Sequence, residues 1–330
     1  MARWRGFGAL ACACAAFADA APLERPPVGR TLVESLFLGA DPLGGGHREE
    51  EPHGGMTHLF ARDLDMVFQF APKPLNFYLE LGSYEGGSAI LTARHAAERG
   101  IRDLTVVAVD TFIGDLWVLW EVEPGERRRH MRADGSVTLL DRFKTNVLRS
   151  GVAGAILPLQ ATSIVGLKLF DALGRRGVVP RPQVIYLDSA HEEGEVLLEL
   201  ELAWKTVAPG GIVFGDDWVL GDGAVRRDLL RFVSAHAGEL DDDFGRSAEA
   251  WGRVLGRVQR GLFLSYNSIQ FFMRKLPDGV REPDPPTLTS FDCWGGGFDG
   301  GGCCSTAHGP GGNPDCWDQV YSFKLCCTPP

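Results

Sequence analysis

The chain has 330 residues, 45% of them hydrophobic, and a formal net charge of -10. That is ample apolar material for one large core and a small appendage. The acidic balance excludes a general nucleic-acid binder, since no basic stripe is present to neutralise phosphates.

In chain order, Arg3 and Arg5 precede an uncharged run from Gly6 to Ala18, and Ala18-Asp19-Ala20 forms a small-x-small cleavage site. Residues 1–20 therefore read as a signal peptide, with Ala21 first in the mature chain. The run is short for a bilayer span, and no later stretch is long and apolar enough for one. Cys12 and Cys14 fall in this leader. The other cysteines, Cys293, Cys303, Cys304, Cys316, Cys326 and Cys327, all follow residue 290, and residues 21–292 contain none. An even number confined to a short tail predicts a disulfide-stapled module, and hence a secretory lumen or the cell exterior.

Residues 22–54 are rich in Pro, Gly and acid and read as irregular. From Met56, apolar residues recur at helical spacing through Phe68. Phe77–Leu81 is a short apolar strand containing Glu80. The turn that follows, with Gly82 and Gly86-Gly87, leads into a helix over Ser88–Arg99. Such a turn lets backbone approach a ligand and presents a helix N-terminus to it. The spacing is not G-x-G-x-x-G, because Ser83 and Tyr84 follow Gly82; this disfavours a dinucleotide fingerprint.

A second strand, Leu104–Asp110, ends in an acid. Residues 111–137 then break the α/β rhythm and read as an insertion holding Phe112, Trp117 and Trp120. Within it, Arg127-Arg128-Arg129-His130 is the sole basic cluster and reads as an exposed face or loop. A helix over Thr138–Arg149 precedes a third strand, Ala155–Leu159, and a helix from Ser163. The fourth strand is Gln183–Asp188, and a helix over Glu195–Val207 leads to the fifth, Gly211–Gly215, with Asp216-Asp217-Trp218 directly after it. A helix over Ala224–Ala237 and a hairpin of Gly261–Tyr266 with Ile269–Lys275 complete the domain, placed at residues 55–276. The pattern predicts a mostly parallel seven-stranded α/β sheet with its last strand antiparallel.

Residues 277–290 form a proline-rich linker. The module after it, 291–330, carries an internal repeat. Asp292-Cys293-Trp294, Phe298 and Cys303-Cys304 recur as Asp315-Cys316-Trp317, Tyr321 and Cys326-Cys327, every position offset by 23. A segment this short needs cross-links to hold a shape. A zinc site is the weaker alternative, because adjacent cysteines make poor ligand pairs and His308 is the one nearby histidine.

Ligands of open α/β sheets bind outside the carboxyl ends of the strands. Glu80, Asp110, Asp188, Asp216 and Asp217 all stand there. Asp110 suits the two hydroxyls of a ribose, or alternatively a helix cap. Asp188, Asp216 and Asp217 fall on neighbouring strands, and three carboxylates together repel unless a hard cation such as Mg2+ sits among them; helix capping is the alternative. His191, just past Asp188, is a candidate general base. His47, His53 and His58 read as structural or exposed.

The ordered blocks ELGSYEGGSA, VVAVDTF, IYLDSAH and VAPGGIVFGDDW resemble class I S-adenosylmethionine-dependent methyltransferases over about residues 75–275. They look closest to methyltransferase family 24 and to metal-dependent sugar O-methyltransferases. The resemblance implies a Rossmann-like fold. It also implies that Glu80, Gly82, Ser83 and Gly86 cradle the methionine part of the cofactor, that Asp110 holds the ribose, and that Gln160, Ala161 and Thr162 border the adenine. Asp188, Asp216 and Asp217 would hold Mg2+, and His191 would be the base. The acceptor would be a hydroxyl of a small polyhydroxylated molecule or glycan. The usual tyrosine two residues after the histidine is Glu193 here. The tail is not part of that fold and is similar to cysteine-rich segments of predicted algal secretory proteins. A rival function is a secreted glycan- or protein-binding chain that has lost catalysis; a nicotinamide oxidoreductase is disfavoured by the missing fingerprint.

N-terminal sequencing of the chain secreted from a eukaryotic host should begin at Ala21. An intact Met1 on protein retained in the cells would overturn the leader.

Overall fold

The computed structural model describes residues 23–44, 57–115, 119–120, 127–219, 223–244, 255–265 and 269–277, with 303–305, 307, 313 and 327 of the tail. The expected signal peptide, the linker beyond residue 277, Trp117 and most of the cysteine-rich module lie outside them.

Five parallel strands form the centre: β1 (Phe77–Leu81), β2 (Thr105–Asp110), β3 (Ile156–Gln160), β4 (Val184–Leu187) and β5 (Ile212–Gly215). They are short runs dominated by β-branched, leucine and aromatic residues, and β1, β4 and β5 are buried on both faces throughout, as a sheet covered by helices requires. Three antiparallel strands extend the edge beyond β5: β6 (Leu255–Gln259), β7 (Leu262–Ser265) and β8 (Phe271–Arg274). The order is β3-β2-β1-β4-β5-β8-β7-β6. The β7–β8 hairpin matches expectation, with Phe263 opposite Phe272. The sheet has eight strands rather than seven, because β6 joins at the outer edge. Its Gly256, Arg257 and Gln259 give no apolar alternation for a sequence reading to detect.

Alternate side chains of each strand feed two cores. Phe77, Leu79, Val107, Ile185 and Val213 point to one, shared with α1 (Pro27–Phe37), α5 (Ser163–Arg175), α6 (Glu195–Thr206) and α7 (Ala224–Ala235). Tyr78, Val106, Tyr186 and Phe214 point to the other, shared with α2 (Ala61–Phe70), α3 (Gly87–Glu98) and α4 (Leu139–Arg149).

The stretch expected to be irregular contains α1, a correction with a clear cause. Proline begins the helix, where its missing N–H costs nothing, and Val28, Leu32 and Val33 bury one face. The Gly29 N–H donates to Thr105 Oγ1 at 3.0 Å. Before the helix, Arg25 makes a two-pronged ion pair with Asp41, both contacts at 2.6 Å, and donates to the Ile156 carbonyl at 2.9 Å. This closes the β3 edge. In the tail, a disulfide joins Cys304 to Cys327, equivalent positions of the two repeats. Among the described residues, no helix is long and apolar enough to cross a membrane.

Asp63, in the first turn of α2, is wholly buried, and neither carboxylate oxygen has a hydrogen-bond partner among the described residues. Burial pushes its carboxyl up to about 6, against the pull of Arg62. A carboxyl raised on folding weakens the fold as pH climbs from 3.8 through that value, and the whole penalty persists above it. Asp63→Asn should therefore raise the melting temperature at pH 8 and change it little at pH 4. Equal effects at both pH values, read by thermal denaturation, would show that folding does not raise this carboxyl.

Candidate active site

The strand order reverses between β1 and β4, the place where open α/β sheets open a crevice. A cleft of about 730 Å3 lies there. Its floor depends on a contact between strand ends. Gly82 leaves β1 with φ +80, and a Cβ built on it would stand 1.8 Å from the Asp188 carbonyl oxygen at the end of β4. The Gly82 N–H meanwhile donates to Val109 O on β2 at 2.9 Å.

Asp110, at the end of β2, locks the turn after Gly82. One carboxylate oxygen accepts the N–H groups of Ser83 at 2.8 Å and Tyr84 at 2.9 Å, and the other accepts Phe112 N–H at 2.6 Å. Glu80 lies beneath the turn, fully buried. It accepts from Ser88 Oγ at 2.9 Å through one oxygen, while the other has no partner among the described residues. Burial pushes its carboxyl up to about 7.

Of the cofactor residues expected from sequence, Gly82, Ser83, Asp110, Ala161 and Thr162 line the cleft. Three do not. Glu80 is below it, Gly86 turns at the start of α3 with φ +89 and faces Phe143, and Gln160 is exposed with its amide donating to Thr111 O at 3.1 Å. Thr162 also caps α5, accepting from Val165 N–H at 3.2 Å.

Asp188, His191, Asp216 and Asp217 all line the opposite part of the cleft. His191 Nε2 is 2.8 Å from Asp217 Oδ2. Burial pulls the imidazole pKa down, but the Asp217 hydrogen bond and neighbouring carboxylates outweigh it, and the net shift is upward. Burial, then repulsion from Asp216 and Asp217, holds Asp188 well above the usual carboxylate range. Burial and Asp217 raise Asp216 as well. One donor atom from each of Asp188, His191 and Asp217 falls within 4.8 Å of the others, an arrangement that can hold a cation. Asp216 is absent from that group.

Sequence reasoning missed Thr57 and His58, which form a wall of the cleft. His58 Nδ1 is 3.4 Å from Asp216 Oδ2, and its carbonyl accepts from the buried Gln270 Nε2 at 2.7 Å. No motif marks this histidine, since the contact exists only once the chain is folded. The basic cluster is less exposed than expected at its end. His130 Nε2 meets Tyr84 Oη at 3.1 Å, so this end of the insertion docks on the first turn, and Arg142 of α4 reaches the wholly buried Glu85 of the same turn at 3.5 Å. Of the tryptophans, Trp218 is buried and Trp120 half exposed.

Sheet order, glycine turn and acid-lined crevice together describe an α/β fold with a cleft at the β1/β4 switch point. Residues 79–218, a little under half of the chain, match a family model described as a methyltransferase domain. The chain carries a methyltransferase domain, and its class is that of a methyl-transferring enzyme. No curated protein matches it in sequence. Among solved structures, it is similar to the O-methyltransferase from Bacillus cereus in complex with SAH, at 14% identity over 68% of this chain and 84% of that one, with a TM-score of 0.39. It is also similar to the O-methyltransferase TomG from Streptomyces achromogenes, at 16% identity over 66% of this chain and 79% of that one, with a TM-score of 0.39. Overlays this loose leave the fold to be defined by the strand order itself.

Gly82→Ala places a methyl group against backbone, which cannot yield as a flexible side chain does, and in a φ region alanine avoids. The variant should lose at least about 3 kcal/mol of stability in denaturant unfolding. A loss below about 1 kcal/mol, the ordinary cost of such a φ, would mean that β1 and β4 do not meet this closely.

Proposed function

We propose that the chain transfers a methyl group from S-adenosylmethionine to a hydroxyl oxygen of a small polyhydroxylated or sugar acceptor, assisted by a divalent cation. The observation that carries this reading is one cleft with two chemically different ends. At one end a glycine turn, braced by Asp110, borders Ala161 and Thr162. At the other stand three carboxylates and two imidazoles.

The volume, about 730 Å3, suits the donor together with a small acceptor. Gly82 brings backbone close to the donor, and Thr162 offers a hydroxyl beside it. The missing dinucleotide fingerprint separates this turn from a nicotinamide site.

In the transfer, the hydroxyl oxygen attacks the methyl carbon in line. The carbon–sulfur bond breaks with its electron pair left on sulfur, a carbon–oxygen bond forms, and the hydroxyl proton departs. The protein's part is chiefly placement of the two reactants. A bound divalent cation lowers the pKa of a hydroxyl and orients it. Asp188 and Asp217 are the carboxylates placed to hold it, since their oxygens and His191 lie within 4.8 Å. Of the two imidazoles on this wall, His58 against Asp216 and His191 against Asp217, the one not bound to the cation accepts the hydroxyl proton.

The test is calorimetric titration of the mature protein, residues 21–330, with S-adenosylmethionine, followed by a screen of sugars and vicinal diols for methylation. Micromolar donor binding with a methylated product is the expected result. A folded protein that binds no donor, with or without divalent cation, would overturn the reading and favour a secreted binding protein.

A further inference from the structure

We infer that His191 is a ligand of the cation in place of Asp216, and that the site selects a divalent first-row transition ion (Mn2+, Fe2+, Co2+ or Zn2+) over Mg2+. This rests on the proposed reading of the cleft as cation-assisted.

Two adjacent acids follow β5, and the backbone separates their duties. Asp217 has φ +67, in the left-handed region that residues with a side chain seldom enter. Its carboxylate reaches His191 across the cleft at 2.8 Å. The Asp216 carboxylate is instead spent on the protein. Its side chain is 3% exposed, one oxygen accepts the Asp217 N–H at 2.9 Å, and the other faces His58 Nδ1 at 3.4 Å. The remaining set is one nitrogen and two carboxylates: His191, Asp188 and Asp217.

A second observation is independent of that clustering. Histidines that bind metals commonly turn their other ring nitrogen toward a carboxylate, which fixes the ring and strengthens the donor. The far nitrogen of His191, Nδ1, faces Asp115 Oδ2 at 3.9 Å, a separation that a small ring movement closes. Asp188 has a supporting partner too, since Tyr186 Oη donates to its Oδ2 at 3.3 Å. The outer groups of a metal site are therefore in place around these residues.

The donor set decides the ion. Mg2+ prefers an all-oxygen octahedron and keeps its waters. Imidazole donors suit later first-row ions, whose affinity for nitrogen exceeds that of Mg2+. Two carboxylates also balance the charge of one divalent ion.

The experiment titrates metal-stripped mature protein with CoCl2 and with MgCl2, under non-reducing conditions so that the cysteines stay paired. Calorimetry and visible absorption are the readouts. Co2+ should bind at least about tenfold more tightly than Mg2+ and give d–d bands of a mixed nitrogen–oxygen site. His191→Ala should weaken Co2+ at least about tenfold, while Asp216→Asn should change it less than about threefold. Equal Co2+ and Mg2+ affinity, Co2+ binding untouched by His191→Ala, or its abolition by Asp216→Asn would each overturn the inference. Binding of S-adenosylhomocysteine without metal, measured on every variant, reports that the fold survives. It also separates the two failures: donor-product binding with no metal selectivity removes only this inference, and metal selectivity without donor-product binding removes only the donor assignment.

Discussion

The contact between Gly82 and the carbonyl of Asp188 is the constraint on which the site depends. Parallel strands diverge where the sheet order reverses, and the crevice between them is only as wide as their last contact allows. A side chain at position 82 would meet the Asp188 oxygen at 1.8 Å, so glycine keeps the ends of β1 and β4 together. Two things follow from that closeness. The turn after β1 is drawn down far enough for Asp110 to accept its N–H groups, and Asp188 is held at the edge of the crevice beside the acids of β5. The glycine turn and the acid end thus share one hinge of backbone.

The acid end is the costly part of the molecule. Burial and mutual repulsion raise both Asp188 and Asp216, and neither effect favours folding. Each carboxylate there is tied to a polar partner: Asp188 to Tyr186, Asp216 to His58 and the Asp217 N–H, Asp217 to His191. Core packing alone would have placed apolar residues in such positions. Concentrated, partly compensated charge at the mouth of a sheet costs stability, and such perturbed groups cluster at functional sites.

The legible part of the sequence was the part governed by local rules. β1, β2, β4 and β5 are short apolar runs stopped by an acid or a glycine, and these and β3 are readable to within about a residue at their ends. The cleft residues Gly82, Asp110, Asp188 and Asp217 could be placed because strand ends determine where ligands go. Features set by long-range packing were not legible. The helix α1 hides in a proline-rich segment and is stabilised by Thr105 and the core rather than by its own propensity. Edge strand β6 lacks alternation. Gln160 and Ala161 are neighbours, yet only Ala161 faces the cleft, a matter of strand phase that composition does not carry. His58 gains meaning from Asp216, which is remote in the chain.

The adjacent acids Asp216 and Asp217 show where such reading must stop. As letters they are equivalent, and charge counting assigns them one role. What separates them is their partners: Asp217, with a backbone angle φ of +67°, reaches His191 at 2.8 Å, while Asp216 accepts the N–H of its neighbour and faces His58. Strain of this kind costs on the order of 1–3 kcal/mol and persists only where the surroundings enforce it. Here the surroundings are identifiable. The N–H of Trp218 donates to the Ile269 carbonyl at 3.1 Å, which pins the residue after the strained one to the chain entering β8. Gln270, next in that chain and fully buried, holds the His58 carbonyl. The antiparallel edge of the sheet is therefore more than an extension of the core. It anchors both the strained turn and the histidine wall, so the outer strands position the chemistry that the inner strands expose.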